Sequence, residues 1–340
     1  MEVDALLLTR LVNVRYLTGF TGSNAQLVLV PEGPVFLTDS RYEEQSRHEV
    51  PDVDRRIYPK GFASPLAEIC RHRGIGRLGF EATGVSYKTF RELEEEVDGE
   101  LRAVEDAVEA LRWTKDPQEI QLIDRAQQIT DDAFDRLVGK LAEGVTEREA
   151  AFELELAMRE LGAERVGFDT IVAFGENAAE PHHHPTDRPL ARGDVVKLDF
   201  GCVVRGYHSD MTRTVGFGEP PGQLREIYDL VRSAQQAGIE AVRAGVRGGE
   251  ADAAARRLIQ GAGYGDRFGH SLGHGVGLEI HEGPTLRAGS DDELPEGTVV
   301  TVEPGIYLPG VGGVRIEDMV EVTAGGCRPM PRTTKELVVL

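Results

Sequence analysis

From residue 116 onward the chain runs through one series of features twice, and that repetition leaves few folds open. Each pass has two helical patterns, a loop or strand bearing histidine, and two β-like segments bearing carboxylates. Asp199 and Asp210 mark the first pass, in KLDFGCVVRGYHSDMTRT. Glu303 and Glu317 mark the second, in TVEPGIY and VRIEDMVEV, with His274 ahead of them in HSLGHGVGLEIHE. The order reads as an internal duplication with one site between the halves. Strand side chains alternate faces with a period of two, so Lys197, Asp199 and Gly201 point one way while Leu198 and Phe200 point the other. His208, Asp210 and Thr212 share a face in the same manner, as do Thr301 with Glu303 and Arg315 with Glu317. Val300, Val302, Val314 and Ile316 then anchor these segments in a core. Inward carboxylates on apolar strands are costly unless paired or bound to cations, and four converging raise one another's pKa. Two divalent ions remove that conflict. Singly, each acid reads as a surface or salt-bridged group; the four acids and His274 together read as a dinuclear metal site.

Local signals set the boundaries. Asp116-Pro117-Gln118-Glu119 carries an N-cap Asp, a Pro at N1 and a Glu at N3, the elements of a capping box. Ile120, Ile123, Ile129, Phe134, Leu137 and Leu141 follow near a 3.6 period, predicting a helix that Gly144 stops. Thr146 and Glu149 cap another, ending at Gly162. FDTIVAFG, DVVKLDFGCVV and YHSDMTRTVGFG read as strands. Helices are predicted from about 224 to 242 and about 250 to 260. Before residue 110 the pattern differs: ALLLT, QLVLV, PVFLTD, RRIYP and RLGFE read as strands, alternating with helical RYEEQSRHEV, SPLAEICRHRG and SYKTFRELEEEV. Such alternation predicts an α/β layer domain. At 340 residues two domains are expected, here 1–112 and 113–340.

Charge narrows the partners. With 58 acidic against 38 basic residues, a net −20, the chain lacks the basic footprint of nucleic-acid binders and suits an anionic membrane surface no better. Cys70, Cys202 and Cys327 lie far apart, a pattern of a reducing compartment rather than a disulfide framework. The N-terminus has no basic region followed by a long apolar one, and no stretch approaches the roughly 18 apolar residues that span a bilayer. A cytoplasmic setting is expected.

Oxygen-rich ligation with one imidazole suits Mn²⁺, Co²⁺, Fe²⁺ or Zn²⁺, and two such ions can hold a bridging hydroxide and polarise a carbonyl. The segments LDFG, SDMTRT, HSLGHGVGLEIHE, EPGIY and RIED resemble the Xaa-Pro peptidases, prolidase and aminopeptidase P, of the methionine-aminopeptidase-like pita-bread metallopeptidases. YLTGFTGSNA and TDSRY resemble that family's creatinase-type N-terminal domain, so the likeness spans essentially the whole chain. It implies an α/β creatinase-type domain followed by an α+β pita-bread catalytic domain with internal pseudo-twofold duplication. It also implies two metal ions, most often Mn²⁺ with Co²⁺ or Zn²⁺ as alternatives, held by Asp199, Asp210, His274, Glu303 and Glu317, with Asp210 and Glu317 bridging. By the same resemblance His281 faces the scissile carbonyl or tetrahedral intermediate, His182 lies near substrate and bound solvent, and His270 lines the substrate pocket. Neutral imidazoles suit donation and proton transfer near pH 7. His183 and His184 read as loop packing, because three adjacent histidines cannot all face one pocket. Glu303 is the candidate acid/base as well as a ligand. Arg315 is positioned to brace a ligand carboxylate. Arg41, in TDSRY, reads either as an intradomain ion pair or as a clamp for the carboxylate of a dipeptide.

These expectations converge on hydrolysis of the bond before proline, with the bridging hydroxide as nucleophile and small proline-containing peptides as substrates. Dipeptides are favoured over longer peptides because no long insertion shapes an extended groove. An aminopeptidase acting on longer Xaa-Pro peptides is the alternative within the class. A catalytically inactive pita-bread peptide-binding module is the alternative outside it, and a metal-free creatinase-like hydrolase a further one; the intact ligand set argues against both. A homodimer is expected by resemblance only.

Overall fold

In the computed structural model, which describes residues 3–340, the chain divides into one unit ending at Arg112 and another running from Trp113 to Leu340. The first contains strands β1 (Ala5–Leu8), β2 (Gln26–Leu29), β3 (Val35–Asp39), β4 (Asp54–Tyr58), β5 (Arg77–Glu81) and β6 (Glu100–Val104). They form one sheet in the order β4-β3-β2-β1-β5-β6. β1 is antiparallel to β2 and parallel to β5. Helices α1 (Leu11–Thr18), α2 (Glu43–Glu49), α3 (Ala63–Arg73) and α4 (Tyr87–Glu96) connect the strands, and α5 (Glu109–Trp113) ends the unit. Two apolar clusters cover this sheet, one built on Leu7, Val28 and Leu66, the other on Leu8, Val14 and Phe20. Leu7 and Leu8 are neighbours on β1, so strand alternation sends them into different clusters.

The second unit begins with α6 (Pro117–Val138) and α7 (Glu147–Glu160). Both predicted capping boxes form: Asp116 accepts from the N–H groups of Gln118 and Glu119, and Thr146 accepts from that of Glu149. α6 stops at Val138, six residues short of the predicted Gly144. Leu141 still packs against the core, because its N–H bonds to the Leu137 carbonyl at 3.1 Å and prolongs one turn beyond the helix. The apolar period therefore outlasts the helix. Strands β7 (Arg165–Val166), β8 (Ile171–Phe174), β9 (Asp194–Phe200), β10 (Cys202–Val204), β11 (Tyr207–His208) and β12 (Met211–Phe217) follow. β9 lies between β8 and β12, antiparallel to both.

After α8 (Gly222–Ala241) and α9 (Gly248–Gly261) come β13 (Gly273–Gly275), β14 (Glu282–Leu286), β15 (Val299–Val302), β16 (Gly305–Leu308), β17 (Gly312–Arg315), β18 (Asp318–Thr323) and β19 (Gly326–Pro329). Five of these make a sheet in the order β14-β13-β15-β18-β19, and β16 pairs with β17. Two helices packed on antiparallel strands thus occur twice. One core cluster joins α6 and α7 to Val196, Leu198 and Phe200; another joins α8 and α9 to Val300, Val302 and Ile316. β9 separates them by its alternation: Val196 and Leu198 face the first cluster, while Val195 faces the second. All three thiols are free. Among the described residues no helix is long and apolar enough to cross a membrane.

Candidate metal centre

Asp199 sits on β9 on the same face as Lys197, as alternation predicts. Its strand neighbours in register are Thr212 and Ile171. The other three acids leave the strands. Asp210 falls between β11 and β12, Glu303 directly after β15, and Glu317 between β17 and β18. They were expected within strands; ladder bonding ends short of each, which lets carboxylates from separate sheets turn toward one point. Main-chain bonds hold these junctions, from Glu317 N–H to the Thr212 carbonyl at 3.1 Å and from Glu303 N–H to the Leu272 carbonyl at 2.8 Å.

A cavity of about 530 Å³ opens here, lined by all five predicted ligands together with His182, His270, His281 and Arg315. Asp210, His274 and Glu317 each offer a ligand atom, all within 4.8 Å of one another. His274 Nε2 lies 3.5 Å from Glu303 Oε1 and 3.7 Å from Asp210 Oδ2. Its Nδ1 is 3.1 Å from the Gly275 carbonyl. That contact places the ring proton on Nδ1 and leaves the Nε2 lone pair facing the acids, as a metal-ligating histidine requires. Burial and neighbouring His281 push the His274 pKa down to about 4, so the ring is neutral at pH 7.

The acids are short of donors. Glu317 receives the Thr212 hydroxyl at 2.7 Å, and Glu303 receives that of Thr301 at 3.3 Å. Burial, then Asp199, pushes the Glu303 carboxyl up to about 8. Burial and the neighbouring carboxylates drive Asp210 and Glu317 well above the usual range. Clustered buried acids that strain against their own charge, beside an imidazole lone pair, are a donor set suited to divalent cations.

Arg315 meets the carboxylate of Asp199: Nη2 bonds to Oδ2. Its Nε donates to the Thr212 hydroxyl at 3.0 Å, and its Nη1 to the Tyr307 hydroxyl at 2.8 Å. Tyr307 in turn lies 2.9 Å from His270 Nε2, while His270 Nδ1 lies 2.8 Å from the Ser271 carbonyl. His270 therefore lines the cavity with both ring nitrogens engaged by protein. Burial pushes its pKa down to about 3. Tyr307 was not singled out from sequence; it stands in EPGIY, and only the β16–β17 hairpin brings it to Arg315. His281 meets His274 edge-on, ring centroids 4.4 Å apart, and is exposed at the cavity wall, as is His182. His183 is buried between Glu147 and Glu180. Arg41 forms a two-point pair with Asp39 of its own unit, at 3.0 and 2.8 Å.

Similarity to known proteins covers the chain end to end. Residues 1–114 match the creatinase/prolidase N-terminal domain, and residues 121–324 match metallopeptidase family M24. The Xaa-Pro dipeptidase of Pyrococcus furiosus is 37% identical over 341 residues, covering 99% of this chain and 96% of that protein. The solved structure of an Xaa-Pro dipeptidase from Bacillus anthracis is 41% identical, with a TM-score of 0.97 over 99% of this chain and 95% of that one. An X-Pro aminopeptidase from Thermotoga maritima is 38% identical, with a TM-score of 0.92 over 99% and 98%. The structural neighbours share the pita-bread fold, and the chain is a metallopeptidase that belongs to family M24 and carries a creatinase/prolidase N-terminal domain.

Proposed function

We propose that this metallopeptidase is a prolidase, cleaving the bond before proline in Xaa-Pro dipeptides. The observation that carries the catalytic reading is the set of donor-poor acids, buried Asp210 and Glu317 and half-buried Glu303, facing the Nε2 lone pair of His274. Similarity over 99% of the chain to Xaa-Pro dipeptidases supports the substrate class.

In this reading Asp199, Asp210, His274, Glu303 and Glu317 hold two divalent ions, with manganese the leading choice and cobalt or zinc the alternatives. Bound there, the ions supply a water made nucleophilic at neutral pH and a Lewis acid for the scissile carbonyl. The chain's own groups do the rest. His281, whose pKa the partial desolvation of the cavity wall lowers, donates an N–H to the carbonyl oxygen as negative charge develops on it. The Glu303 carboxylate accepts a proton from the attacking water and returns it to the proline nitrogen as the C–N bond breaks. His182 orients the substrate from the exposed wall. Arg315 holds Asp199 in place through their ion pair. The products are a free amino acid and proline.

Arg41 distinguishes a dipeptidase from an aminopeptidase of longer peptides if it reaches the terminal carboxylate. The similarity to the Thermotoga X-Pro aminopeptidase favours the second reading. Turnover of Ala-Pro against Ala-Pro-Ala, each with Mn²⁺, Co²⁺ or Zn²⁺ and after EDTA, separates them. Faster release from Ala-Pro establishes the dipeptidase, and faster release from the tripeptide overturns it. Turnover of neither peptide under any metal leaves a peptide-binding module. The sparse, widely spaced cysteines support a cytoplasmic setting; light scattering tests the homodimer expected by resemblance.

A further inference from the structure

Three adjacent histidines, His182 to His184, edge the cavity, and only the first is assigned to substrate above. The middle one serves as a fastening. His183 Nδ1 lies 2.6 Å from the Glu180 carboxylate, and its Nε2 lies 2.9 Å from Glu147 Oε2. Glu147 is fully buried at the first position of α7 and accepts five hydrogen bonds. Its Oε1 takes the Phe174 N–H at 2.8 Å and the Asn177 side-chain amide at 2.9 Å. Besides His183, its Oε2 takes the Thr186 N–H at 2.9 Å and the Thr186 hydroxyl at 2.6 Å. Burial pushes its pKa up, but bonds from Thr186, His183, Phe174 and Asn177 outweigh that and hold it below the usual value.

The other side of the same loop is held by two basic side chains. Lys197 is fully buried, and its Nζ bonds to main-chain carbonyls, Ala178 at 3.2 Å, Pro181 at 3.5 Å and Glu180. Arg315 Nη1 reaches the Pro181 carbonyl at 3.2 Å. Residues 178–186 are thus tied on both flanks of His182, which itself stays exposed to the cavity. A short exposed loop keeps one conformation only when such buried bonds over-determine it.

We propose that Glu147 is a positioning residue that fixes His182 against the substrate by holding Asn177 before the turn and His183 and Thr186 after it. This rests on the reading of His182 given above and extends it to a residue 35 positions away in sequence. Replacing Glu147 by Gln keeps the shape but turns an acceptor oxygen into a donor facing donors.

The test is a double-mutant cycle in the full-length, Mn²⁺-loaded protein with Ala-Pro as substrate. Glu147→Gln is expected to lower kcat at least about tenfold while KM moves less than about threefold. In a His182→Ala background the same change should cost less than about twofold. Mn²⁺ affinity of the stripped protein, read by chelator competition, should stay within about threefold, because Glu147 touches no predicted ligand. Should Glu147→Gln fail to fold, Thr186→Val removes one bond from the same carboxylate and should show the same dependence on His182 with a smaller loss. Equal losses in both backgrounds, or Mn²⁺ affinity falling in step with kcat, overturn the proposal. Unchanged kcat in His182→Ala overturns it too while leaving metal-dependent Xaa-Pro hydrolysis standing, so the two readings fail separately.

Discussion

Two buried carboxylates, one in each unit, show how differently the same group can be kept. Glu81, 3% exposed at the end of β5, receives the N–H groups of Thr9 and Arg10 at 2.5 and 2.7 Å and the Asn13 amide at 2.5 Å. These donors cluster at the start of α1, where the helix dipole also favours an anion. Asp210, 4% exposed, receives no hydrogen bond among the described residues; the neutral His274 ring stands 3.7 Å away, and Glu317, Asp199 and Glu303 crowd it. An acid satisfied by donors serves the fold, whereas an acid left among other acids serves a cation. The two should part company under mutation. Asp210→Asn should cut turnover by more than about 10³-fold in metal-replete buffer, because a ligand charge is lost. The same change should raise the melting temperature of the metal-stripped protein, because it removes a buried repulsion. Glu81→Gln should do the reverse, losing about 1–3 kcal/mol of stability with activity per folded molecule unchanged. A stripped Asp210→Asn protein that melts lower than the parent breaks the comparison.

The contrast sharpens with pH. In the metal-free fold Glu303 is pushed up to about 8 from an ordinary value of 4.5, and Asp210 and Glu317 shift in the same direction. Raised acids bind more protons in the folded state than in the unfolded one, so their contribution is present below about 4.5 and is lost as pH rises toward about 8. Bound cations hold the same groups ionised and stabilise the fold by mass action. The gap in melting temperature between Mn²⁺-loaded and EDTA-stripped protein should therefore widen from pH 5 to pH 8, by about 5 °C or more. Calorimetry that finds a constant or narrowing gap would remove the metal from the explanation of these shifts.

Much of this site was legible in the sequence, for identifiable reasons. Asp199 was placed on the correct face because β9 is a regular strand of seven residues, and a period of two carries through it. Asp210, Glu303 and Glu317 were assigned to strands and lie beside them, because convergence from separate sheets is a tertiary demand that no local period encodes. α1 was missed for a local reason: LVNVRYLT mixes β-branched with polar residues, and only Gly19, at φ 78°, marks its end. Tyr307 and Glu147 were invisible as functional groups, since their partners lie up to 39 residues away in sequence. Arg315 shows how far such contacts matter. Substituting Lys keeps a charge near Asp199 but cannot bond Asp199, Thr212 and Tyr307 together. Arg315→Lys should lower kcat/KM about 10- to 100-fold with Mn²⁺ affinity falling in parallel.

The smallest effect is expected where an arginine and an aspartate pair at the surface instead of beside ligands. The Arg41 side chain makes two hydrogen bonds to Asp39, yet it is 69% exposed. Solvent screens such a pair, so Arg41→Ala should move the melting temperature by less than about 2 °C, far below what removing Arg315 from its buried pair with Asp199 would do. Any larger consequence must then appear in substrate binding, which makes this variant the cleaner probe of the two. If the guanidinium clamps the proline carboxylate, KM for Ala-Pro should rise about tenfold or more while KM for Ala-Pro-Ala stays nearly constant. Equal KM changes for both peptides would assign Arg41 to its ion pair with Asp39 and leave dipeptide preference to the shape of the cavity.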